Sequence, residues 1–217
     1  MLGLYARKIG MTQVFDEAGN LFPVTVMKIE PNVVLGTKTT EADGYDAVVV
    51  GIDDAKKNRV IKPRAGQFPE NIQPKKKICE LRDFEASYES VFKKKVAVGD
   101  TLGIEVLENI RYVDVCGVSK GKGFQGVVKR HGFGGGRKTH GSKFHREPGS
   151  TGQNTYPART FKNRKLPGRM GREKVTVLSL KVIKVDLEKQ LIMVKGAVPG
   201  INKGLVFVRS AVKKSRS

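Results

Sequence analysis

Three histidines, two cysteines, a glycine-rich hexapeptide and a dense series of lysines and arginines are the residues of this 217-residue chain whose types could do chemistry. His131, His140 and His145 all lie in one Gly/basic stretch with no cysteine near them, so no zinc ligand set is assembled there. Cys79 and Cys116 form no C-x-x-C pair, and Cys116, inside the strand-like run Tyr112–Cys116, reads as a small buried side chain. Neither a Ser-His-acid nor a Cys-His arrangement is suggested, and the acidic residues are spaced like surface charge. Gly121-Lys122-Gly123-Phe124-Gln125-Gly126 satisfies G-x-G-x-x-G after a strand-like run. A dinucleotide site would then need a helix, and the following HGFGGGRKTHGSK cannot supply one. Gly136-Arg137-Lys138-Thr139 lacks the G-K-[ST] order of a phosphate-binding P-loop. What these glycines offer is steric: a backbone without Cβ approaches a sugar-phosphate strand closely and accepts φ > 0. A nucleotide-dependent enzyme is the alternative that the hexapeptide keeps on the table, and it predicts mononucleotide binding that survives high salt.

The basic residues define a different chemistry. Lys120, Lys122, Lys129, Arg130, Arg137, Lys138, Lys143 and Arg146 run up to a tip at Pro148–Pro157. Arg159, Lys162, Arg164, Lys165, Arg169 and Arg172 follow it. Arginine bridges phosphates bidentately and stacks on bases, whereas lysine acts as a point charge. Phe124, His131, Phe133, Phe144, His145, Tyr156 and Phe161 are interleaved, suited either to stacking on bases or to small local apolar clusters.

The elements that must carry these residues follow from where the charge sits. The whole chain has 41 Lys+Arg against 21 Asp+Glu, a formal +20, which calls for a polyanionic partner, nucleic acid before an anionic membrane surface. Residues 1–116 hold 17 basic and 17 acidic side chains; residues 117–175 hold 15 and 2, with 13 of the 25 glycines; residues 176–217 hold 9 and 2. The first part reads as strands: Val24–Ile29 alternates, Ala47–Ile52 is a buried run, and Ala18–Asn20 and Ala42–Gly44 supply turns. Val98–Leu102 is a further turn leading into Ile104–Leu107. Residues 78–92 fit either a helix, through Ile78, Leu81, Phe84, Tyr88 and Val91, or at their start a strand with Cys79/Leu81 opposed to Glu80/Arg82. Lys75–Lys77 and Lys93–Lys95 look like solvated loops. The last part alternates again over 175–185, with a change of phase that indicates a bulge or a strand with both faces partly buried, then continues as strands at Leu191–Val194 and Leu205–Val212 before a fraying tail, Lys213–Ser217. From Gly117 to Arg172 neither period appears, and large apolar side chains are too sparse to offset the entropy of ordering the chain without an outside partner.

The expected fold is therefore mainly β: one antiparallel, Greek-key-like barrel built from 1–116 and 175–217, with 56–98 as an inserted region, and a long, basic, Gly-rich, non-globular extension at 117–174 that binds RNA. The longest apolar runs fall far short of the ~18 residues of a membrane span, the amino terminus carries no apolar signal core, and two unpaired cysteines fit a reducing compartment. A basic amphipathic helix for membrane binding is missing, and no cofactor is expected.

Five motifs in order give the chain a family likeness. Leu107, Asp114 and Gly117–Arg130 are similar to the signature of the large-subunit ribosomal protein L3 family (uL3). Gly3–Phe15, Pro148–Gln153, Leu166–Gly171 and Val194–Gly200 resemble other stretches of the same family. The length matches the bacterial or organellar form. The resemblance implies a barrel of the translation-protein type on the exterior of the large ribosomal subunit, with an extension whose tip, Gly149, Ser150, Thr151, Gly152, Gln153 and Asn154, lies near the peptidyl transferase centre. It implies direct binding of large-subunit rRNA near its 3′ end, an early role in assembly, neighbouring ribosomal proteins as partners, and a location in the ribosome, cytoplasmic or organellar. It also implies that Gln153 matches a glutamine that a dedicated methyltransferase N5-methylates in some members. The same pattern favours a strand at 78–84, within the least family-like stretch, 56–98.

Overall fold

A computed structural model describes residues 2–16, 18–69 and 71–214, with only the backbone at Lys57. In chain order its elements are β1 (Gly3–Phe15), β2 (Leu21–Ile29), β3 (Asn32–Lys38), α1 (Thr40–Asp43), β4 (Ala47–Asp54), α2 (Lys62–Ala65), β5 (Lys75–Arg82) and α3 (Phe84–Phe92). There follow β6 (Thr101–Leu102), β7 (Tyr112–Val118), β8 (Phe124–Gln125), α4 (Val127–His131), β9 (Gly168–Arg169), β10 (Lys174–Asp186), β11 (Leu191–Lys195) and β12 (Leu205–Ser210). The chain divides into two compact units, Met1–Val118 with Lys174–Ser217, and Ser119–Glu173.

In the first unit six antiparallel strands close a barrel in the order β1–β12–β7–β10–β11–β2. Closure depends on β1, which pairs with β12 through Gly3–Arg7 and with β2 through Ala6–Phe15, shifting register between Lys8 and Gly10. A bulge of this kind bends a strand enough to serve two neighbours. The phase change read in 175–185 is a real irregularity: β10 shifts register against β7 between Val177 and Leu180, and Ser179 sits at φ +55°. The displaced Ser179 N–H donates to Asp114 Oδ1 at 2.8 Å, and the Val212 N–H donates to Oδ2 at 3.3 Å. Asp114 is 1% exposed and lies 3.6 Å from Arg209 Nη2, so one buried carboxylate satisfies the backbone at two breaks in the ladder.

The barrel takes less of the first portion than the sequence pattern suggests. Only β1, β2 and β7 of residues 1–118 join it; β3, β4, β5 and β6 form their own sheet, ordered β5–β4–β3–β6. Asn32 makes the junction, its Nδ2 donating to the Tyr5 and Glu30 carbonyls at 3.1 and 2.7 Å and its Oδ1 accepting the Tyr5 N–H. One apolar cluster fills the space between, with Leu4, Met27 and Ile29 from the barrel, Val34, Val48 and Leu81 from the sheet, and Ile104 and Leu107 from a 3-10 turn at Ile104–Leu107.

Residues 78–92 use both conformations that their pattern allows. Cys79 and Leu81 turn inward on β5 with Glu80 and Arg82 outward, and the helix begins only at Phe84, stacking Phe84, Tyr88 and Phe92 with ring centroids 5.5 and 4.7 Å apart. Lys75–Lys77 are not a loop but the start of β5, where Lys75 Nζ lies 2.5 Å from Asp54. The fraying expected of the tail falls, at 215–217, outside the described residues.

Candidate nucleic-acid interface

The segment 119–173 leaves and rejoins the barrel sheet at adjacent positions, Val118 facing Lys174 across β7 and β10. Its two ends continue that pairing by themselves. The Ser119 N–H donates to Glu173 O at 2.9 Å, the Lys122 N–H to Met170 O at 2.9 Å and the Met170 N–H to Gly123 O at 2.9 Å, before β8 pairs with β9. Gly171, at φ +74°, lies so close to the Lys120 carbonyl that any Cβ would collide with it. This explains a glycine there on the returning strand.

Beyond the ladder, hydrogen bonds between chain segments stand in for a core. No period marks 117–172, yet five residues coil into α4, where Val127 is the one buried residue of 119–173. Arg130 Nη1 donates to Leu166 O at 2.7 Å and His131 Nε2 lies 3.0 Å from the same oxygen. Further out the Gly136 N–H donates to His145 O at 3.1 Å, His145 Nδ1 lies 2.9 Å from Arg137 O, and Arg164 Nη2 donates to Ser150 O.

Thirteen of the fourteen basic residues singled out above point to solvent: Lys120, Lys122, Lys129, Arg137, Lys138, Lys143, Arg146, Arg159, Lys162, Arg164, Lys165, Arg169 and Arg172. Arg130 is the exception, half-buried and packed against Gly168, where a Cβ would stand 2.6 Å from its Nη1. Its guanidinium braces α4 to the returning strand, a role that charge counting cannot distinguish from a surface one. These fourteen cations face two carboxylates, Glu147 and Glu173, so 14 − 2 leaves +12 in 55 residues. Among the described residues no ion pair falls in this segment; all six lie in the barrel-bearing unit. Uncompensated charge at this density is the electrostatic footprint of a polyphosphate ligand.

The interleaved aromatics separate into two groups. Phe124, Phe144, His145, Tyr156 and Phe161 are exposed, Tyr156 at 86%, and Arg159 lies 5.8 Å over the Phe161 ring. His131 and Phe133 are half-buried and pack on each other at 6.0 Å. The tip residues Gly149, Ser150, Thr151, Gly152, Gln153 and Asn154 are all exposed, with Ser150 Oγ donating to Gly152 O at 2.8 Å.

The hexapeptide Gly121–Gly126 does not build a nucleotide cradle. Lys122 and Gly123 commit their backbone groups to Met170, and Gly126 precedes a helix of only five residues. Among the described residues no three His, Cys, Asp or Glu side chains gather as metal ligands.

Comparison with known proteins bears on the same segment. The family model described as "Ribosomal protein L3" matches residues 77–190, which takes in all of 119–173. A curated protein named "Large ribosomal subunit protein uL3" from Treponema pallidum is 55% identical over 216 residues, covering 100% of each chain. The chain belongs to the ribosomal protein L3 family. Proteins of the same name from Treponema denticola, 53% identical with 100% of each chain covered, and from Borrelia hermsii, 48% identical with 98% and 99% covered, extend the likeness. The family is structural and non-enzymatic, which leaves the exposed basic residues of 119–173 to be explained by binding.

Proposed function

We propose that this chain is a structural constituent of the large ribosomal subunit that binds large-subunit rRNA directly through 119–173, joining early in assembly near the rRNA 3′ end. The observation that carries the reading is the segment's twelve net positive charges without one ion pair, on a backbone that buries a single side chain. Thirteen exposed lysines and arginines neutralise phosphates, and exposed Phe124, Tyr156 and Phe161 offer faces to unstacked bases. Glycines let the backbone run close to the RNA. Binding of this type is guided by shape and driven by counterion release. On this reading the tip 149–154 reaches toward the peptidyl transferase centre. Gln153, exposed on that tip, is the acceptor for N5-methylation by a glutamine methyltransferase. Neighbouring ribosomal proteins are the remaining partners, and the ribosome is the site of action.

The test is the salt dependence of binding to the 3′-terminal domain of large-subunit rRNA. With on the order of ten phosphates contacted, log K against log[salt] has a slope of roughly −7 to −9. R164E/K165E should flatten that slope by about two and weaken binding uniformly across RNA sequences. A flat slope for the unaltered chain overturns the reading.

A further inference from the structure

Strand β1 is longer than the barrel neighbour on one of its sides. It pairs with β12 only as far as Arg7, and two bonds at Lys8 close that side, the Lys8 N–H to Gly204 O at 3.0 Å and the Lys203 N–H to Lys8 O at 2.6 Å. Beyond the bulge, residues 10–15 pair with β2 alone among the described residues, so the hairpin carries an open edge. The turn of that hairpin fixes which groups face the edge. The Asp16 N–H donates to Asn20 O at 2.9 Å, so residue 16 turns toward β2, and by alternation Val14 and Thr12 do the same. Met11, Gln13 and Phe15 then point their N–H and C=O groups outward.

The same three residues place their side chains on one face, together with Leu21 and Pro23, which pair with Phe15 and Gln13. Met11, Phe15 and Leu21 are 53%, 70% and 48% exposed there. Residues 10–15 hold neither lysine nor proline, the residues that commonly keep an edge strand from pairing. Charge sets the edge apart as well. Residues 9–27 are the longest run of the sequence without a lysine or arginine, and their acids are Asp16 and Glu17. In a chain of formal charge +20, a phosphate ligand finds least to bind here, and a second such chain meets least repulsion.

We infer that this edge is a self-association surface, on which the RNA-free chain pairs with a second copy of itself through a two-fold antiparallel ladder centred on Gln13. An axis normal to the ribbon keeps each face on its own side, so only residues of the same face meet across it. Centring on Gln13 sets Gln13 opposite Gln13 of the second copy, and Met11 opposite its Phe15. In that register the outward N–H and C=O groups of residues 11, 13 and 15 on each copy pair reciprocally. Met11 and Phe15 meet twice, on one apolar face that Leu21 continues. An RNA strand gains little from an edge without a cation, and a lipid surface would leave the edge's backbone groups unpaired.

The inference does not rest on the proposed rRNA binding, and salt separates the two. Added salt screens the repulsion between two chains of +20 and tightens the dimer, whereas it weakens binding to RNA. The full-length RNA-free chain, Q13P and M11K/F15K are compared by sedimentation velocity over about a hundredfold range of concentration. The unaltered chain should pass from monomer to dimer, and at lower concentration in about 0.5 M than in about 0.1 M salt. Q13P removes the central donor without touching a bond to β2, and M11K/F15K puts cations on the apolar face. Each should weaken dimerisation at least about tenfold, with thermal melts matching the unaltered chain because all three positions are exposed. The amides of Met11, Gln13 and Phe15 should exchange more slowly as concentration rises, while those of Thr12 and Val14 stay as they are. Non-specific aggregation does not produce that two-residue alternation. A chain that stays monomeric at every concentration and salt overturns the inference, as does a dimer that both variants leave intact or that loosens as salt rises. If the chain is monomeric and these three amides are protected only within large-subunit particles, the edge receives a strand of a neighbouring protein and the second copy is ruled out.

Discussion

The barrel-bearing unit and the segment 119–173 handle the same residue types in opposite ways. In the barrel, Arg7 is claimed by Asp53 through one nitrogen 2.6 Å from both carboxylate oxygens and by Glu30 at 3.3 Å, which holds its guanidinium above the usual arginine range. Lys8, 7% exposed, donates to Val198 O at 2.8 Å and anchors the turn before β12. In 119–173, Arg130 and Arg164 donate to main-chain carbonyls, and among the described residues no carboxylate claims any of the fourteen cations. Arg7 and Lys8, two cations of the barrel wall, are spent on internal contacts. The second region keeps its charges available and forgoes burial, with Val127 as its whole interior. A single cation cannot do both, because an ion pair that fixes it also removes it from a ligand.

Amide hydrogen exchange on the RNA-free chain would test this contrast most severely. Barrel amides in β7, β10 and β12 should exchange roughly a thousandfold or more slower than those of 119–173, since they open only with the whole unit. Equal protection across both regions would break the comparison. A smaller effect is expected from D114A, which orphans the Ser179 and Val212 N–H groups and leaves Arg209 without its buried partner. The cost is about 3 kcal/mol, or roughly 6–12 °C in Tm, with exchange in 119–173 unchanged. A melt within 2 °C of the unaltered chain, as an approximate threshold, would show that the bulge at Ser179 does not depend on this carboxylate.

The smallest effect concerns surface charge in the second sheet. Lys38 Nζ lies 3.0 Å from Glu80, and Tyr45 Oη, accepting from Lys38 at 2.8 Å, donates to Glu80 at 2.9 Å. The hydrogen bond from Lys38, with that from Tyr45, holds the Glu80 carboxyl below its usual value, and the hydrogen bonds that Lys38 makes to Tyr45 and then to Glu80 raise Lys38. A depressed carboxyl stabilises the fold above its unfolded pKa, so this contribution is complete at neutral pH and is lost as pH falls through the still lower folded value. Because both side chains are about a third exposed, E80Q should cost only a few tenths of a kcal/mol at pH 7 and flatten the acid limb of the stability curve. A loss above about 1 kcal/mol would mean that surface ion pairs hold the second sheet together.

How much of this was legible in sequence varies with the range of the interactions concerned. The strand at 24–29 was readable because alternation on a half-buried sheet is written residue by residue, and the strand at 47–52 because a short continuous apolar run marks one buried on both faces. The break in β10 was readable as a change of phase, although its cause, the carboxylate of Asp114 some 65 residues away in the chain, was not. The ambiguity at 78–92 was genuine, since Leu81 satisfies both periods and the boundary at Asp83 depends on pairing between β5 and β4. The basic stretch 56–77 is hidden in the total charge of 1–116 because the acids elsewhere in that portion cancel it.

Composition alone determined that this chain holds a glycine-loosened cationic stretch between β-forming ends, because net charge and apolar density are sums over residues and need no coordinates. Five ordered motifs determined the family in the same way. Tertiary structure alone decided that Asn32–Leu102 leaves the barrel for a sheet of its own, that Arg130 faces inward while its thirteen companions face out, and that Lys75 neutralises Asp54. Each of these depends on which distant residue arrives opposite, and such pairings are chosen by packing and hydrogen-bond satisfaction across the whole unit rather than by local preference.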